Sequence, residues 1–223
     1  MSLAPLQTFA SKKEAVYDSL RTAIFQGDFQ PGERLVIDTL AKSLGVSAIP
    51  VREALQLLQA DGLVEIKPHV GATVTDINPD MVYEVFKLLE ATEVISSRAA
   101  CERMSDEDLI ELEQLISAMD AIIDNPERWS IENIRMHQFI CERSGTRLAG
   151  EVMLKTLDQW NRIRRYYLDE VFSSRLEQAQ KQHWAIFKAL KKRDPEQVET
   201  VIQKHNQTAL ADYQLLLSGV AKA

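Results

Sequence analysis

The hydrophobic positions between Pro31 and Val74 change period partway along, and that change marks out the elements. Leu40, Ala41 and Leu44 fall at helical spacing and stop at Gly45, a residue that takes positive φ at low cost and so ends a helix. Val46 fills the space between this helix and the next, Ser47 is a good N-cap, and Pro50 falls in a first turn, where a missing N–H is tolerated. Val51, Ala54, Leu55 and Leu58 then fall at i, i+3, i+4 and i+7, the buried stripe of a second helix, with Arg52, Gln56 and Gln59 on its other face. After Gly62 the pattern becomes extended: Leu63 to Ile66 begins a strand, Lys67 to Gly71 a turn, and Ala72 to Thr75 the return. Two short helices, a tight turn and a hairpin in this order predict a winged helix-turn-helix, which places its second helix in a DNA major groove.

Past Asn78-Pro79-Asp80 the period is helical almost without break to about Leu217. Val82, Val85, Leu89, Val94 and Ala99 mark a first long helix, and Ser105 to Asp108 caps a second that runs to about Ile123. Asn125-Pro126 opens a third helix ending at Ser144-Gly145, and Leu148 to about Phe172 forms a fourth. Ser174 with Glu177 reads as the capping box of a fifth, and Asp194-Pro195 as the N-cap and first residue of a sixth. The expected fold is mainly α: a winged helix-turn-helix domain over residues 8–77 and an antiparallel bundle of about six helices over residues 78–218. The segment up to Thr8 is expected to lack order.

Composition narrows the setting. No apolar run is long enough to span a bilayer and no signal peptide is apparent, and the two cysteines, Cys101 and Cys141, lie in helical patterns rather than a disulfide framework. A reducing cytoplasm and no membrane partner are the expectation. The net charge of −7 and a pI near 5.2 exclude a general nucleic-acid coat.

The N-terminal motifs resemble the GntR family of bacterial regulators. The resemblance rests on Pro31-Gly32-Glu33-Arg34-Leu35, Leu40-Ala41, Leu44-Gly45-Val46-Ser47, Pro50-Val51-Arg52-Glu53-Ala54-Leu55 and Gly62-Leu63, with Val16, Leu20-Arg21, Ile24 and Gly27 upstream. It implies a homodimer, most often a repressor, on a short palindromic double-stranded DNA operator. Arg52 stands where the family reads a guanine, a base whose O6 and N7 accept a bidentate arginine. Ser47, Ala48 and Ile49 open the recognition helix, Arg34, Lys42 and Lys67 are candidate phosphate partners together with Lys12, Lys13 and Arg21, and His69 and Gly71 lie in the wing. Two positions depart from the family: Ala48 replaces an arginine and Val70 a basic wing residue. Residues 1–76 hold seven Lys or Arg against nine Asp or Glu, a formal −2, so weak and salt-sensitive phosphate binding is expected.

Histidines carry the second signal. Of four, His137, His183 and His205 fall in the bundle. His183 lies eleven residues before Asp194 and His205 eleven after it. With Asp194 as the turn of a helical hairpin, arms of about 16 Å put both imidazoles at one height. Asn133 and His137, at i and i+4, share one face of the third helix. Three imidazoles and an amide oxygen suit Zn, Ni, Co or Cu rather than Mg or Ca. Taken singly, each histidine also reads as an ordinary core or surface residue.

The bundle in turn resembles the FCD effector domain. Met136-His137 corresponds to its Phe-His pair, Ser144-Gly145-Thr146 to its Ser-Gly-Asn, and His183, Ile186, Ala189-Leu190, Asp194 and His205 to its later signatures. In metal-binding members an Asp and three His hold a divalent ion, Zn or Ni foremost here, at the floor of a ligand cavity. Those positions fall at Asn133, His137, His183 and His205. A neutral amide in place of the carboxylate leaves the ion its full charge, which favours an anionic effector such as a small organic acid. The family's effector-facing arginine on the first bundle helix is replaced by Phe86, leaving Arg162 and Arg164 as carboxylate partners and Trp160, Tyr166 and Tyr167 as cavity aromatics or plain core.

The resulting expectation is a ligand-responsive DNA-binding transcription regulator, not an enzyme. Its dimer sets two recognition helices about 34 Å apart, and effector binding shifts the winged-helix orientation. Alternatives remain: a regulator for which the ion itself is the signal, a structural ion or none, or a hydrolytic enzyme with a metal on three histidines. Against the last, no carboxylate adjoins a histidine in a His-Glu-x-x-His arrangement that would supply a base.

Overall fold

The computed structural model describes residues 11–68, 70–167 and 171–218; the segment up to Thr8 and His69 of the wing lie outside them. The chain divides after Ile77 into two compact units.

In the first unit, helix α1 (Lys12–Gln26) opens on a capping box of Ser11 and Glu14, ends at Gly27 and buries Val16, Leu20 and Ile24. Helix α2 (Ile37–Leu44) stops at Gly45, whose φ of 66° is the left-handed conformation expected of it. Helix α3 (Ala48–Ala60) buries Val51, Ala54, Leu55 and Leu58 against α1 and α2. Ser47 takes the extended N-cap backbone, but its side chain makes no capping bond. An N-cap side chain accepts from the second or third helical N–H, and Pro50 occupies the third position without one.

Strand β1 (Arg34–Leu35) precedes α2, and β2 (Val64–Lys67) and β3 (Gly71–Val74) form the wing. The antiparallel sheet has the order β1-β3-β2, with Val64 opposite Val74 and Arg34 opposite Thr73. The sequence pattern shows only two of these strands, because two residues are too few to display alternation.

The second unit is helical: α4 (Pro79–Arg103), α5 (Asp106–Asp120), α6 (Pro126–Ser144), α7 (Arg147–Tyr166), α8 (Leu176–Lys191) and α9 (Pro195–Leu217). Asn78, Ser105, Asn125 and Asp194 each accept a backbone N–H at a helix start. Helix α4 packs against α6, α7 and α9, and α5 against α6 and α8.

Two local expectations are corrected. The fourth bundle helix ends at Tyr166 rather than near Phe172, and Ser173–Arg175 forms a 3-10 turn before α8. Ser174 donates to the Val171 carbonyl at 2.8 Å instead of capping α8. On α4 the apolar stripe holds to Leu89 and then turns polar: Thr92, Glu93, Ser96 and Ser97 are buried while Val94 and Ala99 are only half-buried.

Candidate functional site

Helices α6, α8 and α9 bring His137, His183 and His205 together in the bundle core, one ligand atom of each lying within 4.8 Å of the others. Ring centroids are 5.4 Å apart for His137 and His183, 5.4 Å for His137 and His205, and 5.0 Å for His183 and His205. The equal arms on either side of Asp194 therefore do set the hairpin pair at one level.

Neighbouring groups orient two of the rings. Nδ1 of His137 lies 2.9 Å from Oε1 of Glu93, and Oε2 of Glu93 accepts from the Asn206 amide at 2.7 Å. Nδ1 of His205 lies 3.0 Å from the side-chain oxygen of Gln182. With Nδ1 protonated toward these oxygens, Nε2 of each ring is left as a lone-pair donor. His183 is fully buried and stacked on Trp129 at 5.3 Å, and neither of its ring nitrogens has a hydrogen-bond partner among the described residues.

Such an orphan is rare in a folded interior, and it sits where a ligand could satisfy it. Burial, reinforced by the other two imidazoles and Arg175, holds His183 well below the ordinary histidine range. Burial and His137 bring His205 down to about 3. Both rings are thus neutral near pH 7, the form a metal ion requires. Three imidazoles at this spacing fit a borderline transition ion.

His137 and His205 open on a cavity of about 20 Å³, enough for an occupant the size of a water molecule. Its walls are apolar at Phe86, Leu157, Trp160 and Phe172, and polar at Glu93, Asn133, His137, Arg175, His205 and Asn206. Asn133 thus joins His137 and His205 in the lining, as do Phe86 and Trp160. Arg162, Arg164 and Tyr167 do not. The Arg164 guanidinium is committed to Glu127 at 2.9 Å and to Asn161, while Arg162 is buried outside the lining and Tyr167 packs on Tyr166 and Tyr213.

Sequence reasoning missed Glu93, Gln182, Asn206 and Arg175. Glu93 left a signal: it falls at i+4 from Leu89 and i+7 from Phe86, a carboxylate on an otherwise apolar stripe.

On the first unit, Arg52 projects from the exposed face of α3, opposite the buried stripe. Ser47 is exposed, Ala48 half-buried and Ile49 68% exposed at the start of that helix, an apolar tip of the kind that meets a thymine methyl. Arg34 and Lys42 are exposed, and Lys67 pairs with Glu65 at 2.9 Å. Gly71, at φ 105°, lets the Arg34 guanidinium lie 3.6 Å from where a β-carbon would stand. This places a cation beside the wing, near the position where Val70 replaces the family's basic residue. Lys12 is exposed and Lys13 half-buried, and the Arg21 guanidinium lies over Phe25 at 4.8 Å.

A winged helix with a free recognition face, followed by a helical unit with a polar internal cavity, defines a DNA-binding transcription regulator with a helical effector domain. The comparisons agree. Residues 12–74 match the bacterial regulatory proteins of the gntR family, and residues 83–208 match the FCD domain. The HTH-type transcriptional regulator YdhC of Bacillus subtilis is 30% identical over 195 residues, 85% of each chain. The HTH-type transcriptional repressor RspR of Escherichia coli is 28% identical over 196 residues, 87% of this chain and 85% of that one. The structure of E. coli McbR/YncC has the same fold, with a TM-score of 0.73 at 23% identity over 93% of this chain and all of that one. The chain belongs to the GntR family, in the branch carrying an FCD domain. These relatives are regulators, not enzymes, and among the described residues no helix is long and apolar enough to cross a membrane.

Proposed function

We propose that the chain is a homodimeric, cytoplasmic repressor whose bundle holds one transition-metal ion on His137, His183 and His205 and binds a small organic acid there. The observation that carries the reading is the convergence of three buried imidazoles, one with neither ring nitrogen hydrogen-bonded among the described residues. Zinc or nickel bound there would supply an open coordination position for an anionic oxygen, and Asn133 would add a neutral donor. The operator is a short palindrome read through Arg52 and Ile49, with Arg34, Lys42 and Lys67 on phosphates. Repression is favoured by the relative RspR, itself described as a repressor. The acid acts only to the extent that it binds the DNA-competent and DNA-incompetent states with different affinity.

Elemental analysis of tag-free protein, before and after chelation, tests the metal. Near one ion per chain, absent from His183→Ala and His205→Ala, is the expected result. Unchanged content in both variants would sink the site. A second reading has an observation of its own: a cavity of about 20 Å³ admits an ion more readily than an organic molecule. If metal alone alters operator affinity and no acid alters it further, the ion is the signal.

A further inference from the structure

We infer that Ile49 sets the sequence preference of the operator half-site by selecting thymine through its 5-methyl group, beside the guanine taken by Arg52. This rests on the operator reading above and deepens it, naming a second base and the side chain that chooses it.

Ile49 is the second residue of α3 and, at 68% exposed, the most exposed large aliphatic side chain of the first unit among the described residues. The packed stripe of the helix is Pro50, Val51, Ala54, Leu55 and Leu58, so the core makes no use of it. Arg52, Glu53 and Gln56, at i+3, i+4 and i+7 from Ile49, are all exposed and continue its face. Ala48 before it is half-buried and Pro50 after it is buried, so neither neighbour reaches past the isoleucine. The leading end of the recognition face is thus an aliphatic group with no donor and no acceptor, continuous with the arginine that reads a base.

Such a group can tell base pairs apart only by what it strips of water. Every base edge in the major groove presents hydrogen-bonding atoms, and thymine alone adds an apolar group, its 5-methyl. Against that methyl, isoleucine buries apolar surface on both partners. Against N7 or O6 of guanine, or an amino group of adenine or cytosine, it would displace water from a polar atom and offer nothing in exchange. The preference therefore comes from the penalty at the other bases as well as from the gain at thymine. Ile49 and Arg52 are separated by about 4.5 Å along the helix, at 1.5 Å per residue, and successive base pairs by about 3.4 Å. This spacing sets the thymine within about one or two base-pair steps of the guanine. The charge of the unit adds weight to base contacts: residues 1–76 carry a formal −2 and Lys67 is paired with Glu65, so phosphate attraction supplies less of the affinity than in a basic winged helix.

Selection by the full chain from a random-sequence duplex library supplies the operator. Mobility-shift titrations on that operator, with each thymine replaced singly by deoxyuridine, then test the inference, because the replacement removes the methyl and keeps every hydrogen-bonding atom. One thymine beside the Arg52-dependent guanine should show a loss of roughly threefold to tenfold with the wild-type protein. Ile49→Ala should bind the unsubstituted operator more weakly by a similar factor and should bind the thymine and deoxyuridine operators alike, while Ile49→Val, which keeps a branched aliphatic group, should retain most of the discrimination. Wild-type affinity for every deoxyuridine operator, or a loss just as large in folded Ile49→Ala, overturns thymine selection. Specific binding lost in Arg52→Ala alongside either result leaves the operator reading standing without this inference. Enrichment of no sequence at all overturns the operator reading and the inference together.

Discussion

Replacing Glu93 with glutamine removes one negative charge from beside the histidine cluster and leaves its shape nearly unchanged. The carboxylate is 4% exposed and uses both oxygens, one toward Nδ1 of His137 and one toward the Asn206 amide. Burial pushes its pKa up, but His137, His205 and Asn206 outweigh burial and hold it below the ordinary carboxylate value, so it is ionised. A glutamine amide offers one oxygen and one NH2, so two donors compete for one acceptor. A flip of Asn206 would relieve the conflict at the loss of its 3.3 Å bond to the Ile202 carbonyl. Either way His137 loses the anion that orients its ring. Loss of such a partner typically weakens metal binding about 10- to 100-fold, ~1.4 to 2.7 kcal/mol. Competition with a chromophoric zinc chelator at about pH 7.5 reads this directly, with circular dichroism as the fold control. Zinc affinity within about twofold of wild type in a folded Glu93→Gln protein would refute the role assigned to Glu93.

Arg52→Ala should lower affinity for the specific operator roughly 5- to 150-fold, from the ~1–3 kcal/mol of a bidentate guanine contact, while affinity for unrelated DNA stays nearly the same; mobility-shift titrations on both sequences distinguish the two. Leu58 is fully buried in the winged-helix core, so Leu58→Ala should destabilise that unit by about 2–5 kcal/mol in urea melts, and a loss below ~1 kcal/mol would contradict its packing. His183 and His205 stay neutral in the folded chain and take up protons once unfolded, so the stability of the metal-free protein should be intact above about pH 6.5 and fall as pH drops toward 3. Each ring contributes up to ~1.4 kcal/mol per pH unit in that window. A melting temperature that stays level from about pH 7.5 to about pH 5 in the metal-free protein, or a slope unchanged in His205→Gln, would show that the rings are not buried neutral.

What was legible in the sequence was what local rules decide. Gly45 ends a helix because of its own φ, and Val51, Ala54, Leu55 and Leu58 reveal their face by spacing alone. The histidine hairpin was legible for the same reason: two helices joined at Asp194 share an origin, so equal counts from it mean equal heights. Arg175 escaped because α7 ends at Tyr166 and a 3-10 turn at Ser173–Arg175 precedes α8, so a phase counted along α7 does not carry into α8. Arg162 and Arg164, the arginines the sequence offered in place of the one lost at Phe86, lie outside the cavity lining, which Arg175 enters. Glu93 escaped for a different reason. A glutamate at i+4 from a buried leucine is ordinarily a solvated edge residue, and only the packing of α6 and α9 on α4 makes this one internal. Where the stripe of α4 turns polar while staying buried, apolar packing no longer accounts for the burial: Glu93 lines the cavity, while Ser96 meets Cys141 and Thr146. A polar break between in-phase apolar positions of a long amphipathic helix thus points to a site only once packing shows that the break stays buried, as it does at Glu93.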